Sequence, residues 1–152
     1  PTAILLTRQN LPVIDRTKHP AAAMLAKGAY VLAQSGEGAP DLIILASGSE
    51  VSLAMKAADQ LAGVNVRVVS MPSWELFEKQ PQAYRDSVID PACARRLVVE
   101  AASSFGWAKY AGDRGATVTL DHFGDSAPYQ DLEKAFGFTV ENVVAQARKL
   151  LG

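Results

Sequence analysis

The chain has 152 residues, 49% hydrophobic and 20% charged, an ordinary soluble composition at a length that buries about 68–70% of the surface exposed by the open chain. A net charge of −1 gives no electrostatic reason to expect nucleic acid or a membrane surface as a partner. One cysteine, Cys93, excludes an internal disulfide, and with only His19 and His122 beside it the chain is poor in zinc ligands.

AILLT (3–7) reads as a short buried strand that runs into Arg8-Gln9-Asn10. QNLPVIDRTKHP (9–20) carries two prolines and mixed charges, the signature of a loop or linker. Pro20 opens a short helix, AAAMLAK, that Gly28 closes. GAYVLAQ (28–34) reads as a strand, SGEGAP (35–40) as a turn, and DLIILAS (41–47) as a strand covered on both faces. GSEVSLAMKAADQLAG (48–63) predicts an amphipathic helix with Val51, Ala54, Met55, Ala58 and Leu61 on its apolar side. VNVRVVSM (64–71) completes a βαβ unit, whose two strands are expected to run parallel.

Beyond it, Pro72 to Pro91 reads as short helical pieces broken at Pro81. RRLVVEA (95–101) and ATVTLDHF (116–123) read as strands with a short helix, FGWAKYAG (105–112), between them. Two helices close the chain, Tyr129–Phe136 and Thr139–Leu151, the latter capped by Thr139. The sum is an α/β sandwich around a mostly parallel sheet. No apolar run approaches the roughly 18 residues of a membrane span, and no signal-peptide pattern opens the chain, so the cytoplasm is the expected location.

Four places invite a chemical reading. In ILASGSEV (44–51) a strand, a glycine turn and a helix follow one another, as in phosphate-binding loops, but neither G-x-G-x-x-G nor the P-loop lysine is present. A capping box from Ser47 to Glu50, or a cap by Ser49, accounts for the same residues. Asp113, with Asn142 some thirty residues on, resembles the metal motif of thiamine diphosphate enzymes. However, Arg114 stands where that motif needs glycine, and the element follows a helix rather than a strand. Glu100 ends its strand at the sheet edge where parallel sheets gather ligands, with Ser70, Asp121 and His122 expected along the same edge. It serves either chemistry or the anchoring of a loop, and no nucleophile–base–orienter trio follows from the spacing. In HFGDSAPYQDL (122–132), Asp125 or Ser126 is the expected helix cap, and Trp74, Trp107 and Tyr110 are expected core or interface aromatics.

Several segments together resemble one family. They are AILLTRQNLP (3–12), GAYVL (28–32), LIILASGSEVSLA (42–54), VRVVSMPSWELFEKQ (66–80), YRDSV (84–88), VVEA (98–101), FGDSAP (123–128) and FGFTVENVVAQA (136–147). In this order they are similar to the C-terminal part of bacterial transketolases. The resemblance implies a three-layer α/β/α sandwich whose five-stranded sheet is mostly parallel, with one antiparallel edge strand. It also implies a fragment of a longer protein, in keeping with a chain that starts at Pro1 in mid-strand. Residues 1–13 would end a preceding pyrimidine-binding domain, 14–27 would be a linker, and 28–152 the C-terminal domain.

By the same resemblance, Arg8 is the substrate-binding residue, gripping the phosphate of a sugar phosphate. Its planar fork suits that anion in a way lysine does not. The activity implied is transfer of a two-carbon ketol unit from a ketose phosphate to an aldose phosphate. Thiamine diphosphate and Mg²⁺ would be held by upstream domains, in a homodimer, and the fragment alone would be inactive. Two other readings compete: a stand-alone Rossmann-like small-molecule binder contacting its ligand through Ser47–Glu50, and a protein-docking domain of a related thiamine-dependent complex.

Overall fold

A computed structural model of the chain describes residues 2–152. Five strands, β1 (Tyr30–Gln34), β2 (Leu42–Ala46), β3 (Val66–Ser70), β4 (Arg96–Glu100) and β5 (Ala116–Thr119), form one sheet in the order β1-β3-β2-β4-β5. β2, β3, β4 and β5 run parallel, whereas β1 lies antiparallel to β3 at one edge. This is the sheet the family resemblance implies.

The alternation of side chains along β2 explains the layers. Leu42, Ile44 and Ala46 face one side and join Val51, Ala54 and Ala57 of α1 (Glu50–Asp59) and Val143, Val144 and Ala147 of α6 (Val140–Leu151). Ile43 and Leu45 face the other side, against Phe77 of α2 (Trp74–Glu78), Val88 of α3 (Gln82–Val88) and Tyr110 and Ala111 of α4 (Ala108–Ala111). All five β2 residues are 0% exposed, so the core lies on both faces of the central strands. Trp74, Trp107 and Tyr110 meet edge-on or tilted, with ring centres 5.0–6.0 Å apart, as part of the second face. The last helices, α5 (Tyr129–Phe136) and α6, match the sequence reading, and the Thr139 hydroxyl accepts from the Asn142 N–H as a cap should.

Three expectations are corrected. AILLT is not a strand: no neighbouring ladder takes up its backbone groups, and Ile4, Leu5 and Leu6 are 79%, 91% and 85% exposed. The strand predicted over 116–123 stops at Thr119, because the Leu120 N–H turns to the Ala102 carbonyl and Asp121 bonds sideways to the preceding loop. The helix after FGDSAP is capped by neither Asp125 nor Ser126. Pro128 holds the cap position, and the Asp125 carboxylate accepts from the Ser126 N–H instead.

Within the largely exposed stretch from Ile14 to Lys27, three residues, Ile14, His19 and Met24, are half-buried against the domain. Ile14 and Met24 rest on the α1–α6 side of the core, and His19 Nδ1 lies 3.2 Å from the Leu32 carbonyl. A 3-10 helix over Ala22–Lys27 then ends at Gly28, whose φ of +82° and close approach to α2 both require glycine. A Cβ there would lie 2.2 Å from the Phe77 nitrogen.

Candidate functional site at the carboxyl edge of the sheet

Because β2, β3, β4 and β5 run parallel, the segments that follow them emerge along one edge of the sheet. Glu100, the last residue of β4, accepts a 2.6 Å hydrogen bond from the Ser47 hydroxyl, which leaves the end of β2 next door. The expected capping box from Ser47 to Glu50 is absent. The Glu50 N–H goes to the Ser47 backbone carbonyl at 3.1 Å rather than to its side chain, and the cap position of α1 falls to Ser49, whose side chain caps nothing. Burial pushes the Glu100 carboxyl above the ordinary carboxylate range; the Ser47 bond opposes this and the nearby Glu50 charge adds to it. Burial likewise raises Glu50, against hydrogen bonds from Ser49 and Ala101.

The other residues expected at this edge are there in structural roles. Ser70 is buried at the end of β3. Asp121 joins two loops: its Oδ1 accepts from the Ser104 N–H at 2.8 Å and from the Ser104 and Ser103 hydroxyls at 2.9 and 3.1 Å. The Ser104 N–H bond is the main reason its carboxyl lies below its usual value. His122 Nδ1 faces the Phe123 carbonyl at 2.7 Å, and its ring meets Phe136 edge-on. Among the described residues, Ser47, Glu100 and His122 therefore form no catalytic relay.

A groove of about 790 Å³ runs along this edge, between the start of α1, the loop after β5 and α5. Thr7 and the run from Gln9 to Pro12 line it, beside Ser49, Glu50, Ala101 and Gly124. The sequence did not reveal that the leading segment comes back to this edge. Arg8 lies on this segment with its side chain exposed, and among the described residues it forms no hydrogen bond or ion pair. The Asp121 clasp also escaped sequence reasoning; the adjacent Ser103-Ser104 pair was the available hint for it.

Asp113 and Asn142 do not fit a shared metal. Asp113 precedes the amino end of β5, whereas Asn142 follows Phe138, Thr139 and Val140, which line the carboxyl-edge groove. The Asn142 amide donates to the Gly137 carbonyl at 2.8 Å, and its oxygen accepts from Gln146. Among the described residues, no cluster of three or more His, Cys, Asp or Glu side chains is arranged to hold a metal ion. Cys93 is buried, and that burial raises its thiol above the ordinary range.

A profile for the transketolase-like TK C-terminal domain matches residues 28–139. The chain belongs to the transketolase C-terminal domain family. It is 47% identical to the transketolase of Geobacillus stearothermophilus over 154 aligned positions, which cover 100% of this chain and 23% of that protein. It is 49% identical to the transketolase of Halalkalibacterium halodurans, covering 99% of this chain and 23% of the relative. Among solved structures, the transketolase of Pichia stipitis in complex with sedoheptulose 7-phosphate superposes with a TM-score of 0.81 at 37% identity. That match covers 95% of this chain and 20% of the other. The transketolase domain described here thus spans less than a quarter of the length of these relatives.

Proposed function

We propose that this chain is the C-terminal part of a transketolase that moves a two-carbon ketol unit from a ketose phosphate to an aldose phosphate. The observation that carries the reading is the match of the whole chain, at close to half identity, to under a quarter of proteins named transketolase. In this reading residues 1–13 end a preceding pyrimidine-binding domain, 14–27 form the linker and 28–152 the C-terminal domain. The longer protein is a cytoplasmic homodimer. Thiamine diphosphate, anchored through a divalent metal such as Mg²⁺, supplies the carbanion chemistry when bound to the upstream domains. The residues described here do not fit that metal, and no step is assigned to them through it.

Arg8 is the residue of this chain that meets substrate. Its exposure on a segment crossing the carboxyl edge supports this role, in which the planar guanidinium grips the sugar's phosphate through two parallel N–H bonds. The phosphate is remote from the reacting carbonyl, so its binding energy positions the substrate rather than taking part in bond changes. Residues 28–152 act as the scaffold from which that segment departs.

The test compares two proteins. The longer natural polypeptide, supplied with thiamine diphosphate and Mg²⁺, is expected to transfer the ketol unit between sugar phosphates, and the 152-residue chain alone is expected to show no turnover. Turnover by the 152 residues alone would place the chemistry here and contradict the reading; so would the absence of ketol transfer by the natural polypeptide.

A further inference from the structure

A second groove, of about 760 Å³, opens at the other end of the sheet, beside the residues that lead into β2 and β3. Its position follows from how the first face is covered. There α1 packs chiefly on β2 and β3, and α6 on β4 and β5, so β1 has no long helix of its own above it. Ala33, Val66 and Val68 of the sheet and Met55 and Ala58 of α1 give the groove apolar walls. His19, from the stretch before β1, lines it as well.

The polar atoms of this groove are one-sided. Its side-chain donors are spent inside the protein. Gln34 Nε2 donates to the Gly36 and Gly38 carbonyls at 3.0 and 2.9 Å, and Asn65 Nδ2 to the Glu37 and Ala39 carbonyls at 2.9 Å each. The Ser35 hydroxyl donates to the Val64 carbonyl at 2.9 Å. His19 Nδ1 faces the Leu32 carbonyl, which can only accept, so in the neutral ring the proton sits on Nδ1 and Nε2 is an acceptor. Acceptors, by contrast, are left over. Asp41 uses only Oδ2, on the Asn65 N–H, and the exposed Asp59 carboxylate has no hydrogen bond or ion pair among the described residues. Asn65 Oδ1, enclosed by the protein, also lacks a donor.

The charge is equally one-sided. Asp41 and Asp59 line the groove and no lysine or arginine does. The carboxyl end of α1, the negative end of its dipole, points the same way, because Asp59 and the residues after it form part of the wall. Lys56, the basic residue of that last turn, lines the carboxyl-edge groove instead. A sugar phosphate would meet neither a cation nor a free donor here. His19, Asp41 and Asp59 are also not gathered as a metal site.

We propose that this groove binds a small organic cation: an ammonium group held by Asp59 and Asp41, on an apolar body that lies against Ala33, Val68 and Met55. The ammonium brings the donors and the positive charge that the wall lacks, and the body removes apolar surface from water. No step of ketol transfer calls for such a ligand, so the site stands apart from the proposed function.

The test uses the full natural polypeptide with ¹³C-labelled methionine methyl groups, the Met55 signal being assigned by its loss in Met55→Leu. Hexylammonium is the probe, with hexanol and hexanoate as its neutral and anionic counterparts. Hexylammonium should move the Met55 methyl signal saturably, with a Kd of about 1 mM. The two counterparts should bind at least about tenfold more weakly, the scale of losing a hydrogen bond to a charged group. Asp59→Asn, at an exposed position with no bond to the rest of the protein, should weaken hexylammonium about threefold to fivefold. A Met55 signal that hexylammonium leaves in place would overturn the proposal. Equal binding of all three probes, or unchanged affinity in Asp59→Asn, would also overturn it, since the groove would then be an apolar crevice indifferent to charge. Because the readout is a methyl signal rather than turnover, each of these results holds whether or not the polypeptide transfers ketol units.

Discussion

Two apolar runs of nearly the same composition meet opposite fates in this molecule. Leu42-Ile43-Ile44-Leu45 is 0% exposed throughout, whereas Ala3-Ile4-Leu5-Leu6 leaves its three large side chains 79–91% exposed. The difference is one of partners. β2 has β3 on one side and β4 on the other, with helices over both faces, so its backbone and side chains are satisfied together. The leading run has no ladder among the described residues, and its apolar surface stays in water. An apolar run is thus a necessary condition for a buried strand, and the pairing of its neighbours completes it.

The contrast is sharpest in stability. Ile44→Ala should cost about 2–5 kcal/mol, read as a lowered urea midpoint with an unchanged slope, because it opens a cavity between the sheet and its helices. A loss under half a kilocalorie would show that β2 is not the sealed strand described. Thr139→Ala removes the cap of α6 and should cost about 1 kcal/mol, which tests whether the outer elements of the body rely on their own local signals. No change would assign the helix start to packing alone.

Glu100 lies between the sealed body and the open edge. Its carboxyl is raised chiefly by burial, so the stability it contributes is fully present below the ordinary carboxylate value and is lost as pH rises through the raised folded value. Glu100→Gln should therefore match the parent chain in acid and melt higher than it near neutral pH, as followed by Tm against pH. A variant that melts lower at neutral pH would mean that the Ser47 bond outweighs burial. Leu5→Ala should have the smallest effect, within about 0.5 kcal/mol in the 152-residue chain. A core-sized loss would reveal a buried strand after all.

Much of the body was legible because its signals are local. The LIIL run, the Thr139 cap and the Val143-Val144-Ala147 stripe each carry their meaning within a few residues. What escaped depends on distant partners. Nothing in GAYVLAQ tells whether β1 runs with or against β3; the direction came from the family resemblance. Ser47 looked like a helix cap because the carboxylate its hydroxyl binds, Glu100, lies 53 residues further on. The return of Thr7 and Gln9 to the carboxyl edge left no periodic trace. Arg8 itself was singled out by the TRQN resemblance, and among the described residues its exposed side chain forms no ion pair.

The most direct test of the central claim, that this chain contributes a phosphate-gripping arginine to a transketolase, is Arg8→Ala in the full natural polypeptide. Steady-state rates are measured with phosphorylated and unphosphorylated sugars. KM for the phosphorylated sugars should rise about tenfold to a hundredfold, the scale of losing hydrogen bonds to a charged group, while the unphosphorylated substrates change little. An equal loss on both substrate types would contradict the account, because Arg8 would then act without regard to the phosphate.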